Sequence, residues 1–184
     1  MGVREVKRGC RAVFLDRDGV VNRPLIRHGK PYPPASLAEL EIVPGARDAL
    51  SDLKANGFLL LVVTNQPDVA RGTQQRSVVE AMHAELKSAM PLDDFFVCYH
   101  DSGDGCSCRK PLPGLLFQAA GQHSVDLASS FLIGDRWRDV EAGWSAGCKT
   151  VLIDYGYEEP EPRHAPTVRV SSLQAAVAWI LQQI

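Results

Sequence analysis

The segment that decides the fold reads Val13-Phe14-Leu15-Asp16-Arg17-Asp18-Gly19-Val20. Its apolar run ends abruptly in two carboxylates, Asp16 and Asp18, and Gly19 then allows the backbone to turn sharply. Such a run is typical of a strand buried in a sheet, and open α/β sheets bind ligands at the carboxyl ends of their strands. The segment therefore predicts a ligand site at Asp16 and Asp18. An ordinary junction of strand and loop also favours Asp and Gly. Residues further along the chain must therefore distinguish a ligand site from such a junction.

Further apolar runs follow at intervals along the chain, and most are separated by helical patterns. Strands are predicted at 58–63, 95–98, 130–134 and 149–153, with an edge strand at 168–170. Strands that alternate with helices predict a doubly wound parallel sheet in a three-layer α/β/α sandwich. No internal repeat or linker interrupts the pattern, so residues 1–184 are expected to form a single domain. The proline-rich stretch 22–44 is expected to be an irregular flap over the carboxyl end of the first strand.

Composition narrows the classes of function. The net charge of −2 gives no general attraction to nucleic acid or to an anionic membrane. The basic cluster Arg4, Lys7, Arg8 and Arg11 is too brief to change that, and it is interpreted as a solvated lead-in to the first strand. No apolar run reaches the length of a membrane span, and no secretory signal opens the chain. We expect a cytoplasmic monomer whose partner is a small molecule.

Polar side chains follow most of the predicted strands. They are Asp16 and Asp18, Thr64 and Asn65, Arg109 and Lys110, and Asp135 and Asp139. Parallel strands end at one edge of a sheet, so several carboxylates would meet there and repel one another without a cation. An open site with oxygen ligands suits Mg²⁺, while Thr64 and Lys110 supply the hydroxyl and the positive charge that a phosphoryl group needs.

This set of residues predicts a phosphatase mechanism. Asp16 can attack phosphorus and form an aspartyl phosphate. Asp18 can protonate the leaving oxygen and later take a proton from the attacking water. Asp135 would help to hold Mg²⁺, and the sequence leaves open whether Asp139 also contributes.

Four motifs of the sequence resemble those of the haloacid dehalogenase superfamily, in its phosphatase branch. They are Asp16-Arg17-Asp18-Gly19, Thr64-Asn65-Gln66, Lys110-Pro111 and Gly134-Asp135-Arg136-Trp137-Arg138-Asp139. The resemblance implies that Asp16 is the nucleophile and Asp18 the general acid and base. It also implies that the backbone carbonyl of Asp18 joins Asp16 and Asp135 around Mg²⁺. Val20 departs from the pattern, which often has Thr there, and so does Arg136, which often is Lys.

The segment 98–108 holds three of the five cysteines together with one histidine. Cys98, His100, Cys106 and Cys108 suit a closed tetrahedral Zn²⁺ site, whose four protein ligands leave no position for water. This zinc would be structural. It would also fix the direction in which the side chains of Arg109 and Lys110 point, because both residues follow directly on Cys108. Cys10 and Cys148 are interpreted as small apolar residues, and His83 as a satisfied or solvated helical histidine.

The zinc loop narrows the resemblance to the capless histidinol-phosphate and heptose-bisphosphate phosphatase group. In that group Arg109 and Lys110 would both contact the substrate phosphate, and Asn65 and Arg71 are further candidates for substrate binding. A phosphosugar is the expected substrate, and a heptose 1,7-bisphosphate that loses its 7-phosphate is favoured. The short gap between His100 and Cys106 looks more like the histidinol-phosphate branch, which keeps that alternative open.

Two other classes of protein share parts of the pattern. A phospho-accepting receiver domain also combines an Asp, Mg²⁺, Thr and Lys on this architecture. Asp18 argues against it, because an acid and base two residues from the nucleophile shortens the life of the acyl phosphate. A zinc-stabilised module that binds nucleic acid is disfavoured by the acidic loop residues Asp101 and Asp104.

Overall fold

The computed structural model describes residues 9–184, so Arg4, Lys7 and Arg8 of the basic cluster lie outside the described residues. The strands are β1 (Ala12–Leu15), β2 (Leu25–Arg27), β3 (Lys30–Tyr32), β4 (Leu59–Asn65), β5 (Asp94–Cys98), β6 (Phe131–Gly134), β7 (Lys149–Ile153) and β8 (Val168–Val170). The helices are α1 (Ala46–Ala55), α2 (Arg76–Ala89), α3 (Gly114–His123), α4 (Trp137–Ala146) and α5 (Leu173–Leu181). From α1 to β7, helices and strands alternate as the sequence predicts.

Six strands form one parallel sheet in the order β5-β4-β1-β6-β7-β8. This order is that of a doubly wound sheet, because the chain runs outward from β1 in both directions. The segment that ends in Asp16 is thus a central strand, paired with β4 on one side and β6 on the other. The last strand, β8, lies at the edge of the sheet, as predicted.

Side chains of β1 alternate between two apolar cores, one on each face of the sheet. Val13 and Leu15 pack in one core, while Ala12 and Phe14 pack in the other. The first core also contains buried residues of α1, α2 and α5, and the second contains those of α3 and α4. Each fully buried Leu or Phe contributes about 1.5–3 kcal/mol to folding, so these two cores fix the position of the strand ends. The three-layer sandwich is confirmed.

The stretch 22–44 differs from the expected irregular flap, because it contains a β-hairpin of β2 and β3. Arg27 pairs with Lys30, and the two residues between them, His28 and Gly29, have φ values of 50° and 69°. Two successive residues with positive φ are typical of the tight hairpin turn, and a His in that conformation gives little signal in the sequence. The amide of Glu158 donates to Gly29 O at 3.2 Å and ties the hairpin to the segment after β7.

Among residues 9–184, no helix is long and apolar enough to cross a membrane.

Candidate active site

The carboxyl ends of β1, β4 and β6 lie side by side and carry the polar groups that the sequence singled out. The Asp16 amide donates to Ile133 O at 2.9 Å, so the loop after β1 begins against β6. Gly19 has φ of 92°, and a Cβ there would lie 1.9 Å from Asp135 Oδ2. No side chain fits at this position. Glycine therefore allows the loop after β1 to approach Asp135.

Lys110 is the buried cation of the site. Its Nζ lies 2.8 Å from Asp16 Oδ1 and 2.6 Å from Asp139 Oδ1, and it donates to Val63 O at 2.8 Å. Burial alone would lower the pKa of Lys110, but the two carboxylates outweigh burial and raise it. The ammonium group is therefore permanently charged and held against Asp16.

Burial and mutual repulsion act on the carboxylates. Burial raises the pKa of Asp16 to about 6 although Lys110 opposes the shift, and Asp139 adds to it. The pKa of Asp135 is raised well above its ordinary value by burial and by the charges of Asp16 and Asp139. The pKa values of Asp16 and Asp135 are raised because three buried carboxylates lie close together, and the single ammonium group of Lys110 does not balance their negative charge.

The donor set fits Mg²⁺. Asp16, Asp135 and Asp139 each place one oxygen within 4.8 Å of the others. Both carboxylate oxygens of Asp135 are buried without a hydrogen-bond partner among the described residues. A buried carboxylate without a partner is costly unless a cation compensates it, and hard oxygen ligands are those that Mg²⁺ prefers. Asp139 has a hydrogen-bond partner of its own, because its Oδ2 accepts a hydrogen bond of 3.1 Å from the backbone amide of Arg136.

Asp18 is held away from this cluster by its own partners. Arg17 donates to both oxygens of Asp18 through Nε at 3.2 Å and Nη2 at 3.0 Å. The side-chain amides of Asn22 and Gln66 donate to it at 2.9 and 3.0 Å. Burial would raise the pKa of Asp18, but Arg17 and the two amides lower it. Gln66 also donates to Thr64 Oγ1 at 3.0 Å and so links Asp18 to the end of β4.

The Cys/His loop forms a second cluster. Cys98, His100, Cys106 and Cys108 place their ligand atoms within 4.8 Å of one another. Cys98 Sγ lies 3.0 Å from Cys108 Sγ and 3.8 Å from Cys106 Sγ, and His100 Nδ1 lies 3.3 Å from Cys108 Sγ. A tetrahedral ion with Zn–S bonds near 2.3 Å separates its ligand atoms by roughly 3.8 Å, so the cluster is close to the size that Zn²⁺ needs.

The candidate substrate residues line a cavity of about 310 Å³ that opens above Asp16. Asn65 exchanges two hydrogen bonds with the backbone of Lys110, at 2.9 and 3.1 Å, and so holds that residue in place. Arg71 forms a bidentate pair with Asp101 of the zinc loop, at 2.7 and 2.8 Å. Arg109 donates to His100 O at 3.1 Å. The side chains of Asn65, Arg71 and Arg109 all line the cavity. Asn65 is fixed by its bonds to Lys110, and the two arginines by their bonds to the Cys/His loop.

Two further cations line the cavity, Lys30 and Arg138, and the sequence had given Arg138 no role of its own. Arg138 is half-buried, and its guanidinium lies 4.8 Å from the ring of Trp137. Burial and the charges of Arg136 and Arg109 lower the pKa of Arg138. Among the described residues it forms no ion pair, whereas the neighbouring Arg136 pairs with Glu159. Its position between Asp135 and Asp139 in the fourth motif was the signal that could have found it.

Comparisons with known proteins agree with this geometry. Residues 107–176 match the family described as HAD-hydrolase-like. The D-glycero-beta-D-manno-heptose-1,7-bisphosphate 7-phosphatase of Yersinia pestis is 36% identical over 186 residues, which cover 94% of this chain and 90% of the relative. The enzyme of the same name from Pasteurella multocida is 39% identical over 158 residues, covering 79% and 83%.

The chain belongs to the heptose-bisphosphate phosphatase family of HAD hydrolases. Its members are phosphoric monoester hydrolases, and the expected superfamily is confirmed. The D,D-heptose 1,7-bisphosphate phosphatase from B. bronchiseptica, solved with magnesium and phosphate, superimposes with a TM-score of 0.76 at 30% identity. That comparison covers 95% of this chain and 99% of the other. Magnesium in this relative agrees with the magnesium that the carboxylates of the present chain predict.

Proposed function

We propose that the chain hydrolyses a D-glycero-D-manno-heptose 1,7-bisphosphate at its 7-phosphate. The observation that carries the proposal is the buried Asp16 carboxylate, which lies against Lys110 and near the unpartnered Asp135 at the base of an open cavity. An ionised nucleophile, a fixed cation and a magnesium site in one place are what phosphoryl transfer requires. The names and the similarity of the relatives support the choice of substrate.

In the first step, an oxygen of Asp16 attacks phosphorus while the bond from phosphorus to the sugar oxygen breaks. The protonated form of Asp18 donates its proton to that oxygen, and the products are an alcohol and an aspartyl phosphate. Lys110 stabilises the negative charge of the phosphoryl oxygens, and Thr64 donates a hydrogen bond from the end of β4.

In the second step, a water molecule attacks the phosphorus of the aspartyl phosphate and Asp18 accepts its proton. The bond from Asp16 to phosphorus breaks, which releases inorganic phosphate and restores the carboxylate. Asp16, Asp135 and the backbone carbonyl of Asp18 would hold Mg²⁺, which would supply positive charge against the negative charge of the phosphoryl group. Asp139 contributes by fixing Lys110.

The lining of the cavity offers cations for a second phosphate on the substrate. Arg138 and Lys30 line the cavity and have no ion-pair partner among residues 9–184, while Arg71 is paired with Asp101. A half-buried guanidinium without a carboxylate is stabilised by a bound anion. This feature favours a bisphosphate over a substrate with one phosphate, and so it disfavours histidinol phosphate.

The Cys/His cluster is proposed to hold a structural Zn²⁺. Three thiolates and an imidazole at these separations match a closed tetrahedral site. Its task is to fix the loop that carries Asp101, Arg109 and Lys110 beside the cavity. The single domain over residues 1–184, the monomeric state, the cytoplasmic location and the absence of nucleic-acid and membrane partners stay predictions. The receiver-domain alternative stays disfavoured because Asp18 promotes hydrolysis.

Release of inorganic phosphate tests the proposal. The heptose 1,7-bisphosphate and histidinol phosphate are compared with Mg²⁺ present, chelated and restored, and we expect faster release from the bisphosphate and reversible loss on chelation. D16N should lower turnover about a thousandfold or more, because the nucleophile is lost, and its circular dichroism should be unchanged. Equal, slow rates on both compounds would contradict the substrate, and substantial activity of D16N would contradict the nucleophile.

A further inference from the structure

Arg17 lies between Asp16 and Asp18 in the sequence, and its side chain is fully buried. Two of its nitrogens, Nε and Nη2, donate hydrogen bonds to the carboxylate of Asp18. A buried guanidinium cannot lose its proton, so each donor that lacks an acceptor costs free energy. The third nitrogen, Nη1, finds its acceptor on a different element of the fold.

That acceptor is Nε2 of His83, which lies 3.2 Å from Arg17 Nη1. His83 projects from α2, is almost fully buried, and stacks on Phe95 with ring centroids 4.7 Å apart and an angle of 23° between the rings. Because Arg17 is only a donor, Nε2 must carry the lone pair, and His83 is neutral with its proton on Nδ1. Burial, helped by the charge of Arg17, lowers the pKa of His83 to about 4, although Asp18 opposes the shift.

The guanidinium of Arg17 is thus held from two sides. Asp18 lies on one side and His83 on the other, with the ring of Phe95 fixing the orientation of the imidazole. Asn22 and Gln66 also bind Asp18, but both are neutral amides. The strongest of the contacts on Asp18 is therefore the charge-assisted pair with Arg17, whose direction depends on His83.

We infer that His83 is a positioning residue, which acts through Arg17 to fix the carboxyl group of Asp18 where it transfers protons. The inference rests on the proposed role of Asp18 as acid and base. His83 lies 66 residues from Arg17 in sequence and touches no reacting atom.

Two substrates with different leaving groups separate this role from a structural one. A sugar phosphate needs a proton on its leaving oxygen, whereas 4-nitrophenyl phosphate releases a stable phenolate without one. The ratio kcat/KM covers the steps up to transfer of the phosphoryl group, in which Asp18 acts as the acid. H83L removes the acceptor and keeps an apolar side chain of similar size. We expect about a tenfold fall of kcat/KM for the sugar phosphate, and a change within about twofold for 4-nitrophenyl phosphate.

H83Q and V79A are the matched controls. The amide oxygen of the glutamine can replace Nε2 as acceptor, so H83Q should recover most of the sugar-phosphate activity. V79A removes buried methyl groups one turn earlier in α2 and should lower thermal stability with no preference between the two substrates. If H83L does not fold, H83N gives the same test, because its amide is too short to reach Arg17.

Equal effects of H83L, or of H83N where H83L fails to fold, on the two substrates would overturn the inference, and so would an unchanged kcat/KM for the sugar phosphate. D18N distinguishes this failure from that of the proposed function. If D18N still hydrolyses the sugar phosphate at the wild-type rate, the role of Asp18 is wrong. If D18N is inactive while H83L is normal on both substrates, only the role of His83 is wrong.

Discussion

Lys110 and Arg138 are both cations of the cavity, but they differ in their partners. Lys110 is held by Asp16 and Asp139, so its charge favours the ionised form of Asp16, the proposed nucleophile. Arg138 forms no ion pair within residues 9–184, and its guanidinium rests on Trp137. We therefore propose that Lys110 takes part in the chemistry and that Arg138 recognises the second phosphate of the substrate.

R138M tests that assignment at the scale of a single residue. It keeps the length and apolar contacts of the side chain but removes the charge. We expect KM for the heptose 1,7-bisphosphate to rise about tenfold, which is 1.4 kcal/mol, and KM for a heptose 7-phosphate to change little. Steady-state kinetics on the two sugars measures the difference. R47M, which removes an exposed arginine of α1, should leave both values unchanged, and an equal rise on both sugars for R138M would contradict the assignment.

The zinc loop illustrates what one element contributes to the site. It joins β5 to α3, and its Asp101 receives two hydrogen bonds from Arg71 on the loop after β4. Its last residues lead directly to Arg109 and Lys110, so the direction of both cations depends on the shape of the loop. Gly114 packs the start of α3 against the same loop, since a Cβ there would lie 2.2 Å from Ser107 O.

C106S tests the loop at the scale of the element. Loss of one thiolate should release zinc, lower the melting temperature by several degrees and reduce kcat/KM at the same time, because metal binding and folding are coupled. Metal analysis, thermal unfolding and kinetics are the measurements. Cys10 is exposed and lies outside the cluster, so C10S should keep the zinc, the melting temperature and the rate. Normal values of all three for C106S would exclude a structural zinc.

For the whole molecule, the buried carboxylates link stability to pH and to Mg²⁺. The pKa of Asp135 is raised well above its ordinary value, and that of Asp16 is raised from 3.8 to about 6. Between these values the folded protein keeps protons that the unfolded chain has released, so stability without metal falls as pH rises through about 6. If these carboxylates hold Mg²⁺ as proposed, the ion binds their ionised forms, and its stabilising effect should therefore grow as pH rises.

Thermal unfolding at pH 5 and pH 7.5, with Mg²⁺ or with a chelator, measures this linkage. We expect the increase in melting temperature caused by Mg²⁺ to be larger at pH 7.5. D135N removes one of the proposed ligands of the ion and should reduce that increase at both pH values. An increase that is the same at pH 5 and pH 7.5 in the unmodified chain would show that these carboxylates do not bind the ion.

Local patterns in the sequence determined much of this protein. The apolar run before Asp16, the alternation of strands with helices and the polar residues after each strand predicted the sheet and the edge where the site lies. The spacing of Cys98, His100, Cys106 and Cys108 predicted a cluster that the fold does bring together. These features are readable because each depends on residues that are close in sequence, or on the rule that parallel strands end together.

The tertiary structure alone decided how the groups are paired. Lys110 also contacts Asp139, Arg138 has no carboxylate partner among residues 9–184, and His83 contacts Arg17, although nothing in the spacing of these residues shows these pairings. A hydrogen bond between residues tens of positions apart depends on the packing of whole elements, and a period or motif does not record it. For the same reason the β-hairpin was missed, since its turn uses a His in a backbone conformation that only the folded chain selects.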